Sequence, residues 1–404
     1  MIKYHLKDLL EIKNGRDHKH LENGDIPIYG SGGIMRYGDQ YLYDKASILL
    51  PRKGTLSNIQ FVKEPFWTVD TIYYSVVKED KAIPFYLYYY LKNLDLSRLN
   101  SGTGVPSMTF GAYYGIEVNL PNLNTQSQIA KVLSDLDAKI ELNNKINAEL
   151  EAMAKLIYDY WFVQFEFPNE DGKPYKSFGG KMVWNEELKR EIPEGWEVGT
   201  LLDIATFTNG IACQKYRPND EESFYKVIKI REMSDGFGNN PELVSQSVPK
   251  KIIVNNGDVL FSWSATLEVK IWTGGIGALN QHIFIITSEN YPKSFYYFEL
   301  LRYLQHFKMI AELRKTTMGH ITQDHLKQSR ISIPPMSLID QLHSKINPIL
   351  EKVIKNKEEN QKLAELRDWL LPMLMNGQVK VDIQKEYKMD GEMNFAAEER
   401  EKYR

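Results

Sequence analysis

The chain has 404 residues, 43% of them hydrophobic and 25% charged, with 50 Lys and Arg against 53 Asp and Glu for a formal charge of −3. That leaves room for two or three domains with an apolar core, and excludes a uniformly basic surface, so any grip on nucleic acid has to come from local patches. No apolar run is long enough for a membrane span, the start MIKYHLKDLLEIKNG lacks a secretory apolar stretch, and the single Cys213 excludes an internal disulfide and fits a cytoplasmic location.

Residues 1–123 alternate short β-rich runs with glycine-containing loops. LKDLLEIKNG (6–15) predicts a helical turn leading into a strand and a turn, and IPIYGSGGIMRYGD (26–39) a strand, a glycine loop and an exposed tip. ASILLPRKGTLSNIQFV (46–62) predicts two strands joined by a basic loop, FWTVDTIYYSVV (66–77) a strand, and IPFYLYYYLKNLDLSRL (83–99) an amphipathic helix. SGTGVPSMTF (101–110) is a loop, and YYGIEVNLPNL (113–123) a last strand closed by proline.

A long helix follows at 124–163. Ile129, Leu133, Leu136, Ile140, Asn143, Asn147, Leu150, Ala154, Ile157 and Trp161 recur at alternating steps of four and three, the seam of a coiled coil. A shift of 213 gives a second seam within a helix at 337–377: Leu342, Ile346, Ile349, Val353, Asn356, Asn360, Leu363, Arg367, Leu370 and Leu374. The polar interruption is repeated with the apolar positions. Packed antiparallel, Asn143 would face Asn360 and Asn147 would face Asn356, where a buried amide pair fixes register because a slipped partner leaves it unpaired. In the competing arrangement the asparagines sit at a solvated edge and Ile146 turns inward.

Between the helices, residues 164–336 open on a polar connector and then repeat the grammar of the first body. WEVGTLLDIATFTNG (196–210) echoes YHLKDLLEIKNG, and NNGDVLFSWSATLEVKIWTG (255–274) echoes DKASILLPRKGTLSNIQFV. FYYFELLRYLQHF (295–307) echoes FYLYYYLKNL, and Thr322 falls on Thr109 at the same shift of 213. Near the start the shift is only about 192, so roughly twenty residues are inserted, most naturally within 226–251. The pattern is a domain duplication.

The chain carries no P-loop, no dinucleotide glycine fingerprint, no nucleophile elbow and no histidine or cysteine frame for a metal. It reads as a binder without catalytic residues. The loops mix glycine, cations and small hydroxyl or amide side chains, which suits a DNA duplex: backbone and cations hold phosphate while Arg, Lys, Asn and Gln read base edges. Candidate contacts in the first body are Ser31, Gly32, Gly33, Arg36, Tyr37, Arg52, Lys53, Gly54, Thr55, Asn58, Thr103 and Ser107. In the second they are Lys215, Tyr216, Arg217, Lys229, Arg231, Ser262, Ser264, Thr266, Thr316 and His320. A helix of roughly 37 residues spans about 55 Å, enough to hold two readers on separate half-sites. The 24 tyrosines suit a protein that recognises through side chains, and a structural adaptor binding proteins or glycans through tyrosine-rich faces is the competing reading.

IPIYGSGGI (26–34), ILLPRKGTLSNIQFV (48–62), FWTVDTIYY (66–74), the helix segment NLPNLNTQSQIAKVLSDLDAKIELNNKIN (119–147), and the helix ends MAKLIYDYWFVQFEFP (153–168) and LRDWLLPMLMNGQV (366–379) together resemble the specificity subunit of type I restriction-modification systems. The resemblance implies an α+β fold: two duplicated target-recognition domains, mixed and β-rich with helices, at 1–123 and 164–336, separated by two long antiparallel coiled-coil helices. It implies a non-catalytic subunit whose domains each read half of a bipartite double-stranded DNA target. It also implies two partner methyltransferase subunits, which modify adenine at N6 with S-adenosylmethionine, and restriction subunits using ATP and Mg2+. The chain departs from itself where PRKGTLSN becomes SWSATLEVK, so the two halves are expected to read different sequences. The segment beyond Lys380 matches nothing in the resemblance, and residues 378–404 are expected to form a flexible tail.

Overall fold

A computed structural model describes residues 1–99, 106–219, 222–238, 240–313 and 320–381. The long helices run Leu123–Tyr158, extended by a π-helical turn Asp159–Val163, and Met336–Met375. The chain divides into two compact units, Met1–Ala138 with Leu363–Arg404, and Lys139–Lys362. Each unit therefore takes in part of both helices.

In the first unit, Leu10–Asn14, Ile72–Val77, Ser47–Pro51 and Gln60–Val62 form an antiparallel sheet in that order. Ser47–Pro51 lies inside it and is buried at every residue, which is why SILLP reads as an unbroken run and not an alternation. A second sheet has the order Gly33–Gly38, Ile26–Gly30, Trp67–Thr68, the last pair parallel. Ile2–His5 pairs with Glu117–Leu120. The helical turn Leu6–Leu9 is started by a reciprocal cap in which the His5 N–H donates to Asp8 Oδ2 at 3.0 Å.

Two sequence expectations are corrected here. The glycine loop and exposed tip at 31–39 is a two-residue connection followed by the strand Gly33–Gly38. FWTVDTIYYSVV is two strands, not one: Trp67–Thr68 belongs to the second sheet and Ile72–Val77 to the first, with a turn closed by the Ile72 N–H on the Val69 carbonyl at 3.3 Å. A chain that changes sheets has to break its ladder, and hydrophobicity does not record the break.

The second unit repeats all three sheets. Thr206–Asn209, Ile283–Thr287, Val259–Ser262 and Glu268–Ile271 form the first, and Leu243–Ser245, Phe224–Ile228, Gly277–Leu279 and Ile253–Val254 the second. Glu197–Thr200 pairs with Arg330–Ile333, and the Thr200 N–H donates to Asp203 Oδ2 at 2.7 Å in the matching cap. Where Ser31 and Gly32 join two strands in the first unit, the second carries a longer connection between Phe224–Ile228 and Leu243–Ser245 that includes the helix Ile230–Asp235, inside the stretch expected to hold the insertion. A hairpin of Met182–Asn185 with Arg190–Pro193 is additional.

The tyrosines serve the core more than the surface: Tyr86, Tyr89, Tyr113 and Tyr158 are among the largest fully buried side chains. Two of them tie long helix to body through a carboxylate and an arginine. In the second unit the Tyr158 hydroxyl donates to Glu299 Oε1 at 2.6 Å and Arg302 pairs with Glu299 Oε2 at 2.6 Å, all around a buried carboxylate. Burial pushes the Tyr158 phenol well above its ordinary pKa, with the Glu299 charge adding to the shift. In the first unit Tyr89 donates to Asp137, which pairs with Arg367 at 2.8 Å.

Candidate nucleic-acid interface

In the first unit the predicted loops converge. Asn58 Nδ2 donates to the Ser31 carbonyl at 2.7 Å, Gly54 N–H to the Pro106 carbonyl at 3.0 Å, and Lys53 bridges to Ser107. Gly54 has φ +89°, a conformation that favours glycine, and a Cβ there would make a tight 3.2 Å contact with Ser31 Oγ. Gly32, Tyr37, Lys53 and Thr55 are exposed, and Gly33 stands in open space with φ +120°. Arg36 is tied down: its guanidinium donates to His18 Nδ1 at 3.2 Å, to the His18 carbonyl and to the Leu21 carbonyl at 3.1 Å, so it braces the 18–21 segment. Arg52 stacks 5.9 Å from the Tyr73 ring and donates to the Asp70 carbonyl at 3.3 Å. Thr103 lies outside the described residues.

The residues that organise this surface are Asp70 and Thr71, in the middle of FWTVDTIYYSVV, where the sequence pattern predicts a continuous strand. The Thr71 carbonyl accepts from the Arg52 N–H at 2.9 Å and the Lys53 N–H at 3.2 Å, and its hydroxyl accepts from the Ser31 N–H at 3.3 Å. Asp70 is exposed at the tip of the turn.

The second unit builds the same frame from other side chains. The turn Asn280–Ile283 is closed by the Ile283 N–H on the Asn280 carbonyl at 3.2 Å, and the His282 carbonyl accepts from the Trp263 N–H at 3.3 Å. Trp263 occupies the place of Arg52: the Trp263 carbonyl accepts from the Ile321 N–H at 3.0 Å, as that of Arg52 accepts from Met108 at 2.9 Å. Its ring lies 5.6 Å from His282, 5.8 Å from His320 and 5.8 Å from Phe284, and its Nε1 donates to Asn209 Oδ1 at 3.0 Å.

Of the predicted residues here, Lys215, Tyr216, Arg217, Arg231, Thr266 and His320 are exposed. Lys229 is exposed but paired with Glu242. Ser262 and Ser264 are a correction. Both are buried, and the Ser262 hydroxyl donates to the Thr266 carbonyl at 2.7 Å, so they hold the turn instead of facing a partner. Thr316 lies outside the described residues. Arg217 and Lys229 share a groove of about 630 Å³ with Gln214, Asn280, Gln281 and His282.

Along the helices, Asn143 Nδ2 donates to Asn360 Oδ1 at 2.8 Å and to Glu359 at 2.8 Å, and Asn356 Nδ2 donates to Asn147 Oδ1 at 2.9 Å. Asn143 is 1% exposed whereas Ile146 is 37% exposed, so the amides point into the seam and the solvated-edge arrangement is not adopted. The outer face carries an apolar triad, Met153, Leu156 and Tyr160, 51%, 66% and 39% exposed. At the shift of 213 stand Leu366, Trp369 and Met373, of which Leu366 and Trp369 are 43% and 58% exposed. No group of three or more His, Cys, Asp or Glu suited to a metal ion occurs among the described residues, and no described helix is long and apolar enough to cross a membrane.

Comparison with known proteins bears on this arrangement. The family described as type I restriction modification DNA specificity domain matches residues 2–152 and 193–367. The MjaIX specificity subunit of a type I restriction enzyme from Methanocaldococcus jannaschii is 26% identical, with 93% of each chain covered. The HindI specificity subunit from Haemophilus influenzae is also 26% identical, over 72% of this chain and 74% of that one. The crystal structure of a type I restriction-modification S subunit from M. genitalium superposes with a TM-score of 0.59 at 15% identity, covering 92% of this chain and 95% of that one, a likeness of fold.

Proposed function

This chain belongs to the type I restriction-modification DNA specificity family, a DNA target-recognition subunit by kinship, and from that premise we propose that each of its two units reads one half of a split duplex sequence. The observation that carries this reading is the duplicated frame. The turns at 69–72 and 280–283 and the tips at 51–54 and 262–265 share their backbone hydrogen bonds while their exposed side chains differ. A constant scaffold holding variable side chains is what two readers of different half-sites need. Arg52, Lys53 and Thr55 in the first unit, and Lys215, Arg217 and Lys229 in the second, hold phosphate around the read bases.

The long helices set the unread gap, with the paired asparagines fixing their register. The chain itself does no chemistry. Its apolar triads, Met153, Leu156 and Tyr160 in one unit and Leu366, Trp369 and Met373 in the other, have the same i, i+3, i+7 spacing and dock two modification subunits. Those partners bring S-adenosylmethionine and methylate adenine at N6, and restriction subunits bring ATP and Mg2+.

The test is long-read methylation mapping of DNA from cells expressing this chain with its neighbouring methyltransferase. A split motif modified in both halves, present only with this chain, is the expected result. Exchange of residues 1–123 for those of a relative changes one half alone. Modification without a split motif, although the methyltransferase is active, would overturn the reading.

A further inference from the structure

Asp70 and Gln281 occupy one position in the two frames. In the first unit the Val69 N–H donates to the Tyr29 carbonyl at 3.0 Å, and in the second the Asn280 N–H donates to the Ile228 carbonyl at 3.0 Å. The Arg16 N–H reaches the Thr68 carbonyl at 2.8 Å, and the Ile211 N–H the Leu279 carbonyl at 3.1 Å. Behind each turn a glycine backs onto its first carbonyl. A Cβ on Gly15 would lie 2.0 Å from the Val69 oxygen, and one on Gly210 2.1 Å from the Asn280 oxygen. Each turn is thus pinned on three sides by backbone, and its second residue stands at the tip with a side chain that the pinning does not use.

Those side chains are available for recognition. The Asp70 carboxylate makes no hydrogen bond or ion pair with the described residues, and only its carbonyl is engaged, by Arg52. Gln281 lines the groove with Arg217 and Lys229, and its Nε2 lies 3.2 Å from His282 Nε2. That contact uses one amide hydrogen against the imidazole, whose ring rests beside Trp263, and so orients the amide plane. The second amide hydrogen and Oε1 have no partner among the described residues. A planar donor–acceptor pair matches the N6 and N7 edge of adenine, whereas a carboxylate, with acceptors only, matches the N4 amino group of cytosine.

We infer that Asp70 and Gln281 are the equivalent base-discriminating residues of the two units, Asp70 reading cytosine in one half of the target and Gln281 reading adenine in the other. This rests on the bipartite reading above. The phosphate-holding cations around each tip fix the register, and the pinned turn presents the side chain of its second residue to a base edge.

The experiment uses the assembled complex with its modification subunits and duplexes carrying its mapped motif, substituted one base pair at a time. The wild-type complex is expected to penalise a wrong base at each read position by roughly 5- to 150-fold. In Gln281→Ala that penalty collapses toward one at a single adenine position of one half, with every other position unchanged. Asp70→Ala does the same at a single cytosine position of the other half. Gln281→Glu moves the preference at its position from adenine toward cytosine, a change of identity that a loosened fold would not produce. An unchanged profile, or a uniform loss across all positions, would overturn the inference. Absence of a split motif for the wild-type complex would instead overturn the functional reading beneath it.

Discussion

The tips at 51–54 and 262–265 do the same structural work with opposite chemistry. Pro51, Arg52, Lys53 and Gly54 stand where Ser262, Trp263, Ser264 and Ala265 stand, and Ala265 takes φ +58° at the place of Gly54 with φ +89°. In the first unit a guanidinium leans over Tyr73, and in the second an indole leans over Phe284. The comparison separates two roles that a loop sequence mixes together. Backbone hydrogen bonds to the neighbouring turn hold the tip in place in both units, so the side chains are free to change from cationic to aromatic without loss of the fold.

The units also differ in how their tyrosine–carboxylate–arginine links are buried, with Glu299 2% and Asp137 33% exposed. Glu299→Ala should destabilise the second unit by roughly 3–5 kcal/mol, because it leaves the Arg302 charge half-buried without its partner. Asp137→Ala in the first unit should cost only about 1–2 kcal/mol, since Asp137 is a third exposed and Arg367 keeps Asp368. Urea denaturation of the two variants checks the ratio, and equal losses would remove the distinction.

Smaller effects sharpen the match between the turns. Gly15→Ala and Gly210→Ala should each cost about 1–3 kcal/mol through collision with a fixed carbonyl. Each should blur sequence discrimination only in the half read by its own unit, which methylation mapping resolves. In the helix seam, Asn356→Ala should cost about 1–2 kcal/mol by stranding the Asn147 amide. The double leucine variant at 147 and 356 should melt higher than wild type, because the Asn147 Nδ2 has no partner among the described residues. The smallest change separates the tips themselves. Arg52→Ala should reduce the salt dependence of DNA binding by about 0.9 in the log–log slope, whereas Trp263→Ala should leave that slope unaltered.

Much of this was legible from the chain alone wherever a physical constraint repeats along the sequence. Heptad spacing marks both helices, because each seam position has to return to the same face, and an asparagine there stands out against leucine and isoleucine. The duplication was legible through paired motifs such as Asn14–Gly15 and Asn209–Gly210, where backbone crowding admits no side chain. Arg36, Ser262 and Ser264 looked like recognition residues because residue type does not reveal whether a polar group is already used. The guanidinium of Arg36 is held by His18 and Leu21, and the Ser262 hydroxyl by Thr266.

Two related α+β bodies, two seam helices and a chain suited to binding follow from periodicity and self-similarity along the chain. Folding alone places a turn within residues 66–77 where the chain changes sheets, with Asp70 at its tip, and a matching turn at 280–283 with Gln281 at its tip. The turn is made by hydrogen bonds to strands distant in sequence, with Trp67–Thr68 pairing to Ile26–Gly30 and Ile72–Val77 to Leu10–Asn14. A local window of mixed apolar and aromatic residues carries no trace of which distant strand each residue will pair with.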